Sequence, residues 1–300
     1  MKTISLAPQL EVSRIVLGVW RLLDWNMSDQ QLLTYLKQSI EAGVTTYDHA
    51  DIYGDYECEA AFGKALQLDA TLRSQMQLIT KCGIKLKSSK FPERQLKYYD
   101  YSKDYIIQQV ERSLKNLQTD YIDVLLLHRP SPLLHPNEVA AAFETLKSSG
   151  KVKHLGVSNF TSGQFDSLQS YMNEPLVTNQ IEISPSQLEH FENGNLDHLI
   201  EKRVSPMAWS PLAGGTLMHP QDEKTIRIHA ALKSVGNQIG EKDLSKIIYA
   251  WLLMHPSHII PVLGTGKIER LKAAVSALKI KLSQEQWFEI YTASTGNEVP

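Results

Sequence analysis

The stretch IDVLLLH, residues 122–128, is a short apolar run that ends in a histidine. A strand that is buried on both faces must be apolar along nearly its whole length, and such strands are typical of parallel sheets. Amphipathic segments precede it at 103–118 and follow it at 137–149. The stretch therefore predicts a central parallel strand between two helices.

The same alternation of short apolar runs and longer amphipathic segments extends along the chain in both directions. The eight strand candidates are 14–18, 44–48, 76–80, 122–128, 152–158, 177–182, 205–210 and 258–264. The helix candidates are 29–42, 57–67, 103–118, 137–149, 162–171, 194–202, 243–254, 268–277 and 283–293. Eight strands that are each followed by a helix predict an α/β fold, a (β/α)8 TIM barrel, as a single domain over residues 1–300.

Local signals refine this barrel. Capping boxes are predicted at three helix starts, namely Ser28 with Gln31, Thr161 with Gln164, and Ser283 with Gln286. Two β-prone pieces flank Pro8 before the first barrel strand and predict an N-terminal β-hairpin across the barrel floor. The connections 83–102 and 211–242 are expected to be long loops, which often carry function.

Composition narrows the function classes. The chain has 300 residues and a formal net charge of -2, which favours neither nucleic acid nor an anionic membrane surface as a partner. Cys58 and Cys82 lack metal-site spacing and are expected to be reduced thiols. His255 and His258 have no third ligand nearby, so no metal is expected. Without a signal peptide or a long apolar run, we expect a cytoplasmic protein.

Polar residues follow the second, third and fourth predicted strands, at the end of the barrel where active sites lie. Asp48 ends the second strand with Tyr53 just beyond it, Lys81 follows the third, and His128 ends the fourth. Together they suit proton transfer to a carbonyl oxygen. An ammonium held by a carboxylate makes a phenol more acidic, and an imidazole orients the carbonyl. A reduction at this site would need a cofactor that carries the hydride.

The segment Gly264-Thr265-Gly266 precedes a helix that is expected to begin near Ile268. The amide groups at a helix N-terminus bind phosphate well, and Arg270 in the first turn adds a bidentate donor. An ordinary loop with a solvated arginine explains this motif equally well when it is taken alone.

Several motifs occur together in one order. Gly43, Asp48, Ala50, Tyr53 and Gly54 form the pattern Gly-x-x-x-x-Asp-x-Ala-x-x-Tyr-Gly. The further motifs are LITKCG (78–83), IDVLLLHRP (122–130), GKVKHLGVSNF (150–160), NQIEISP (179–185), WSPLAGG (209–215) and PVLGTGKIERL (261–271). In these motifs, which cover essentially the whole chain, the sequence resembles the aldo-keto reductase family.

The resemblance implies a barrel that binds NADPH without a Rossmann domain and reduces the carbonyl of an aldehyde or a ketone to an alcohol. Tyr53 would be the general acid, Asp48 and Lys81 would tune it, and His128 would orient the substrate. The nicotinamide would be held by Ser158, Asn159, Gln180 and Trp209. The phosphates would be bound by Ser210, Leu212, Gly214, Thr265, Gly266, Lys267 and Arg270, and Gly18 would also contact the cofactor. Ala274 replaces the Asn or Gln with which many relatives contact the adenine.

Other interpretations stay open from the sequence. A class I aldolase would use Lys81 as a Schiff-base nucleophile, although Asp48 and Tyr53 favour a charged lysine. A non-catalytic nicotinamide-binding regulatory protein on the same fold is the alternative function. Trp20, Tyr98 and Tyr99 are candidate substrate-binding residues in an aromatic-walled pocket. The sequence predicts a small-molecule carbonyl substrate as the partner and predicts no oligomeric state.

Overall fold

The structure, a computed structural model, describes residues 3–300 as a closed barrel of eight parallel strands surrounded by helices. Met1 and Lys2, which the predicted domain includes, lie outside the described residues. The strands are β1 (Thr3–Ala7), β2 (Leu10–Ser13), β3 (Val16–Gly18), β4 (Thr46–Asp48), β5 (Gln77–Cys82), β6 (Ile84–Lys85), β7 (Tyr98–Tyr99), β8 (Ile122–Leu127), β9 (Val152–Ser158), β10 (Asn179–Glu182), β11 (Met207–Trp209) and β12 (Ile260–Leu263). The barrel order is β3-β4-β5-β8-β9-β10-β11-β12, and β12 pairs with β3 to close it. The predicted TIM barrel is therefore confirmed.

A helix follows every barrel strand. The helices are α1 (Asp29–Glu41), α2 (Tyr53–Tyr56), α3 (Cys58–Gln67), α4 (Lys103–Leu117), α5 (Pro136–Ser148), α6 (Ser162–Gln169), α7 (Glu189–Glu192), α8 (Asn195–Lys202), α9 (Glu223–Ile239), α10 (Leu244–Met254), α11 (Ile268–Ser276) and α12 (Gln284–Thr295). The predicted capping boxes at Ser28, Thr161 and Ser283 are all formed. Among residues 3–300, none of the helices combines the length and the apolar character that crossing a membrane requires.

The central strand β8 shows why its sequence is apolar. Val124 and Leu126 point into the barrel, where they pack with side chains of the other strands. Leu125 and Leu127 point outward into the apolar layer between strands and helices, which also contains Phe143 of α5. Both faces of the strand are therefore buried, as the stretch 122–128 predicts.

The N-terminal hairpin closes the floor of the barrel, as predicted. Strands β1 and β2 pair antiparallel. Leu10 and Val12 alternate with the exposed Glu11, and they are buried against barrel-interior residues such as Val16 and Ile79. The floor is thus sealed by apolar contacts, and the opposite end, where the polar strand ends lie, is left as the mouth.

The two connections that were expected to be long loops contain regular structure. Residues 211–242 include the 17-residue helix α9, so the prediction of a loop was wrong there. Asp222 and Thr225 form a capping box at its start, and the left-handed Gly240 ends it. Its buried side chains face the core, and the helix packs against α12. In the segment 83–102, β6 and β7 pair in a small antiparallel sheet.

Candidate active site

The four residues predicted at the strand ends meet around the amine of Lys81. Its Nζ atom donates hydrogen bonds to both carboxylate oxygens of Asp48, each at 2.8 Å, and to the backbone oxygen of His49 at 2.7 Å. It also donates to the phenol oxygen of Tyr53 at 3.1 Å. The Tyr53 ring lies edge-to-face with the His128 ring, with the centroids 5.9 Å apart. One compact cluster therefore holds all four.

The backbone explains how these side chains converge. Asp48 is the last residue of β4, and it lies opposite Ile79 of β5. Lys81 is two residues beyond Ile79, so both side chains project from the same inner face. Lys81 lies inside β5, because this strand extends to Cys82 rather than ending at residue 80 as predicted. The carboxylate and the ammonium are thus brought together by strand register.

A tight reversal of the chain places Tyr53 over this pair. Gly54, Asp55 and Tyr56 all have positive φ values, of 58°, 51° and 70°. This conformation costs non-glycine residues roughly 1–2 kcal/mol each. Such strain persists only where the surrounding structure enforces it, and it is common next to functional groups. The turn keeps the phenol of Tyr53 against the mouth of the barrel.

The environment of Lys81 keeps its amine charged. Burial by itself lowers the pKa of Lys81, but the Asp48 carboxylate and the Tyr53 phenol raise it, and the net result lies above the ordinary value. A Schiff-base lysine needs the opposite, a depressed pKa that exposes the free amine. The geometry therefore disfavours the aldolase interpretation of Lys81.

The phenol of Tyr53 is subject to opposing effects. Burial raises its pKa, the nearby Lys81 ammonium lowers it, and the Asp48 carboxylate raises it again, with a net increase. The expected effect of the ammonium is present, but burial outweighs it. Because Lys81 donates to the phenol oxygen, the phenol proton is directed elsewhere, and no acceptor for it lies among residues 3–300. This proton is available to a bound molecule.

His128 is a neutral imidazole beside the phenol. Burial lowers its pKa well below the ordinary value, and the positive charges of Lys81, Arg129 and Lys97 add to the effect. Its Nδ1 atom is buried and has no hydrogen-bond partner within the described part of the chain. A neutral imidazole carries one N–H group and can therefore donate one hydrogen bond to a ligand.

The residues predicted to hold the nicotinamide form a chain of hydrogen bonds that starts at Asp48. The side-chain amide of Gln180 donates to Asp48 Oδ1 at 2.9 Å, and Ser158 Oγ donates to the backbone oxygen of Gln180 at 2.8 Å. The side chain of Asn159 donates to Ser158 Oγ at 2.8 Å, and Trp209 Nε1 donates to Asn159 Oδ1 at 3.0 Å. The polar edge of the mouth is therefore one continuous network from β4 to β11.

The N-terminus of α11 has the features of a phosphate site. This helix has no side-chain cap, so amide groups of its first turn are available. Lys267 and Arg270 are exposed there, and neither forms a salt bridge with any carboxylate in residues 3–300. Gly266 lets the chain pass close to Trp25, because a Cβ atom at Gly266 would lie 2.6 Å from the indole ring. Two cations without a carboxylate partner in the described part of the chain thus lie beside the uncapped amide groups.

The loop after β11 has an unusual backbone. Ser210, Ala213 and Gly214 have positive φ values of 50°, 51° and 67°. Leu212 between them packs against the apolar layers on both sides. The predicted contacts of Ser210, Leu212 and Gly214 with phosphates stay a prediction, and this anchored, strained loop is compatible with it.

Gly18 and Ala274, two positions considered for cofactor contacts, are packed against other residues of the chain. A Cβ atom at Gly18, the last residue of β3, would lie 2.8 Å from the Val262 side chain. Ala274 is completely buried in the apolar layer under α11. The side chain at position 274 therefore faces the core, away from the exposed side of the helix.

The candidate substrate residues lie on the rim. Trp20 and Tyr98 are 59% and 41% exposed. Tyr98 and Tyr99 form strand β7, and Lys85 Nζ lies 5.1 Å from the centre of the Tyr98 ring. Within residues 3–300, none of the three forms a hydrogen bond or a ring contact with Tyr53 or His128. Their role in substrate binding stays a prediction.

Two charged residues at the mouth were missed by the sequence analysis. Arg129 and Glu182 line a cavity of about 500 Å³ together with Asn159 and Trp209. Both could have been found from position alone. Arg129 directly follows His128, and Glu182 lies two residues after Gln180 on the same face of β10.

Buried carboxyl groups behind the cluster around Lys81 were also missed. Asp51 and Glu59 are 2% and 1% exposed. Burial raises the pKa of both, and their proximity raises that of Asp51 further. Thr80 donates a hydrogen bond to Glu59 at 2.6 Å, and the backbone amide of Asp51 donates to the backbone oxygen of Lys81 at 3.0 Å. These contacts fix the segment that carries Tyr53 against β5.

Comparison with known proteins agrees with this geometry. The aldo/keto reductase family matches residues 14–294 of the chain. An uncharacterized oxidoreductase, YcsN of Bacillus subtilis (strain 168), is 51% identical over the full length of both chains. A 6-dehydroglucose reductase of Agrobacterium fabrum is 44% identical, also over the full length of both.

Among solved structures, an aldo/keto reductase from Klebsiella pneumoniae in complex with NADP and acetate superimposes with a TM-score of 0.78. It is 25% identical in sequence, and the match covers 96% of this chain and 94% of that one. Fold, motif order and full-length similarity to oxidoreductases all point the same way, and the chain belongs to the aldo/keto reductase family.

Proposed function

We propose that this protein uses NADPH to reduce the carbonyl group of aldehydes or ketones to an alcohol, with Tyr53 as the general acid. The observation that carries the proposal is the 3.1 Å hydrogen bond from Lys81 to the Tyr53 oxygen, which leaves the phenol proton free for a ligand. Family membership supports a reaction of this class.

When bound at the mouth, NADPH would supply the hydride for the carbonyl carbon. The imidazole of His128 donates a hydrogen bond to the carbonyl oxygen and holds it near the phenol. Tyr53 then transfers its proton to that oxygen, and the negative charge left on the phenol is stabilised by the ammonium of Lys81. Asp48 holds the ammonium in place through its two hydrogen bonds at 2.8 Å.

The residues around the mouth fit a nicotinamide dinucleotide. The amide side chains of Asn159 and Gln180 lie next to the catalytic cluster, where they are suited to the carboxamide. Lys267 and Arg270 beside the uncapped helix α11 suit the additional phosphate that distinguishes NADPH from NADH. The related structure from Klebsiella pneumoniae was solved with NADP, which supports this choice of cofactor.

The substrates to test include sugar-derived carbonyl compounds. The relative from Agrobacterium fabrum is named a 6-dehydroglucose reductase, and it is similar to this chain over its full length. A panel should therefore contain simple aldehydes, simple ketones and oxidised sugars.

The proposal is tested by replacing Tyr53 with Phe and measuring NADPH oxidation and alcohol formation with this panel. General acid catalysis contributes typically about 10²–10⁴-fold, so Tyr53→Phe should lower kcat by that factor and leave NADPH binding nearly unchanged. Tyr121→Phe is the matched control, because Tyr121 precedes β8 at the opposite end of the barrel. Undiminished turnover by Tyr53→Phe would show that the acid is another group.

A further inference from the structure

Tyr101 connects the end of the segment 83–102 to the chain that follows β8. Its phenol donates a hydrogen bond to the backbone oxygen of Arg129 at 2.5 Å. The backbone amide of Arg129 in turn donates to the same phenol oxygen at 3.0 Å. Both backbone polar groups of Arg129 are therefore satisfied by one side chain, whose residue is only 5% exposed.

This contact begins where the strand pairing of β8 ends. The backbone amide of His128 donates to the backbone oxygen of Cys82 at 3.0 Å, which continues the pairing of β8 with β5 by one residue. Within residues 3–300, the backbone of Arg129 forms no hydrogen bond with another strand. Strand pairing thus holds the chain as far as His128, and Tyr101 holds the next residue.

The small antiparallel sheet fixes the position of Tyr101. Ile84 of β6 pairs with Tyr99 of β7, and the backbone amide of Asp100 donates to the backbone oxygen of Gly83 at 2.9 Å. The ring of Tyr101 lies directly on Gly83, where a Cβ atom would come within 1.9 Å of it. Gly83 also has a φ of 109°, a conformation that glycine adopts without strain. Glycine at position 83 therefore leaves the space through which the ring reaches Arg129.

The imidazole of His128 depends on its backbone for its position. Its Nδ1 atom has no hydrogen-bond partner within the described part of the chain, and the ring meets the Tyr53 ring edge-to-face at 5.9 Å. A shift of the backbone at residues 128–129 consequently moves the imidazole relative to the phenol. A misplacement of about 1 Å between reacting groups can cost about 10²-fold in rate.

Tyr101 also joins the two strand ends that carry the proposed acid and the imidazole. Its ring packs on Gly83, just after β5, and its hydroxyl group is bonded just after β8. Lys81 of β5 holds the phenol of Tyr53 at 3.1 Å, and His128 follows β8. The spacing between phenol and imidazole is therefore set partly by the contact that Tyr101 makes.

Tyr101 is not suited to be a second acid. Burial raises the pKa of its phenol above the ordinary value. Its proton is engaged by the backbone oxygen of Arg129. The hydroxyl group therefore stays neutral and acts as a donor and an acceptor toward the backbone.

Resting on the proposed function, we propose that Tyr101 is a positioning residue for the carbonyl reduction. Its hydroxyl group fixes the chain that follows β8 and thereby holds the imidazole of His128 against the phenol of Tyr53. The small sheet of β6 and β7 places this hydroxyl group.

The first test removes the hydroxyl group in the presence and in the absence of the imidazole. Tyr101→Phe should lower kcat for butanal about 10- to 100-fold and change the dissociation constant of NADPH less than about 2-fold. In a His128→Ala background, Tyr101→Phe should lower kcat less than about 2-fold, because a residue that acts through another gives non-additive effects. Undiminished kcat in Tyr101→Phe, or the same loss in both backgrounds, would overturn the assignment.

Tyr47→Phe is the matched control. It also removes a fully buried hydroxyl group, whose oxygen lies 2.5 Å from Ser39 Oγ in the layer between β4 and α1. If loss of a buried hydroxyl group acted only through general stability, both variants would lower kcat alike. We expect Tyr47→Phe to leave kcat nearly unchanged.

NMR of protein that contains isotope-labelled histidine gives a readout that does not depend on turnover. The ring signals of His128 are assigned by their absence in His128→Ala. They should shift in Tyr101→Phe and keep their positions in Tyr47→Phe. Unshifted signals in Tyr101→Phe would contradict the positioning role. If Tyr101→Phe does not fold, Tyr101→Met replaces it in both tests, because methionine adapts to irregular buried space.

The two proposals can fail separately. If the wild type reduces carbonyl compounds but Tyr101→Phe changes neither kcat nor the signals of His128, this inference fails and the proposed function stands. If the wild type reduces no carbonyl compound, the proposed function fails, and the histidine signals alone decide whether Tyr101 positions His128.

Discussion

Two pairs of opposite charges at the mouth of the barrel differ in how they are satisfied. Lys81 and Asp48 are almost completely buried and bonded to each other at 2.8 Å. Arg129 and Glu182 are half-buried and, within residues 3–300, have no ion-pair partner within 4.0 Å. The charges of Lys81 and Asp48 are satisfied within the protein, and Lys81 also holds Tyr53. The donors of Arg129 and the acceptors of Glu182 have no such partners in the described part of the chain, which suits recognition of a ligand. The buried pair thus holds Tyr53 in place, whereas the hydrogen-bonding groups of the half-buried pair are available to a ligand.

The largest effect, a loss of stability, is expected when the ion pair between Lys81 and Asp48 is broken. Lys81→Met leaves the Asp48 carboxylate buried without its cation, which typically lowers the free energy of unfolding by about 3–5 kcal/mol. Lys147→Met is the matched control, because Lys147 pairs with Glu174 at 2.6 Å and both side chains are more than a third exposed. Exposed pairs contribute about 0–1 kcal/mol. Chemical denaturation measures the free energy of unfolding of both variants. Equal decreases in the two would contradict the distinction between buried and exposed pairs.

A smaller effect, on the preference for NADPH over NADH, is expected when the exposed Arg270 is replaced. Arg270→Ala should remove a charged hydrogen bond to the additional phosphate of NADPH, worth about 1.5–3 kcal/mol, and should narrow the preference for NADPH over NADH roughly 10- to 150-fold. Titration of each cofactor measures the two dissociation constants. Lys272→Ala removes an exposed cation from the same helix and should leave the preference nearly intact. Equal affinities for NADPH and NADH in the wild type would reject this role of Arg270.

The third effect is a dependence of stability on pH. His49 is fully buried, and burial, with the charge of Lys81, lowers its pKa to about 3. At pH values below about 6.5, the ordinary pKa of histidine, His49 is protonated in the unfolded chain but stays neutral in the folded protein. The free energy of unfolding therefore decreases as the pH falls. The slope attributable to His49 is about 1.4 kcal/mol per pH unit between these values. In His49→Leu this part of the slope should disappear, whereas His128 contributes equally to both proteins. Parallel stability profiles from pH 4 to 7 would disprove the assignment.

The barrel and the meeting of Asp48, Tyr53, Lys81 and His128 at its mouth could be predicted because both depend on short-range patterns. The apolar stretch 122–128 fixes a buried strand, and polar residues that end parallel strands must meet at one mouth. Helix α9 was missed although its signals were present. Asp222 and Thr225 mark its start, Gly240 its end, and Ile228, Leu232 and Val235 its buried face.

Distances between charges could not be predicted in the same way. The sequence cannot show that Arg129 and Glu182 have no ion-pair partner within residues 3–300, because the distances between charges depend on strands that are far apart in the chain. The net direction of the pKa shift of Tyr53 could not be predicted for the same reason. The ammonium of Lys81 was expected to lower the pKa of the phenol, but the extent of burial, a property of the folded chain, decides the net direction.

The central claim is that a hydride is added to the carbonyl carbon of a substrate while Tyr53 donates a proton to the carbonyl oxygen. It is tested most directly by a single turnover of the wild-type protein with butanal and NADPH that carries two deuterium atoms at C4 of the nicotinamide, followed by mass spectrometry of the product. We predict 1-butanol that carries one deuterium at C1, formed at least about 10²-fold more slowly by Tyr53→Phe. Bound NADPH that is not oxidised by any carbonyl compound of the panel, or an alcohol without deuterium, would contradict the account.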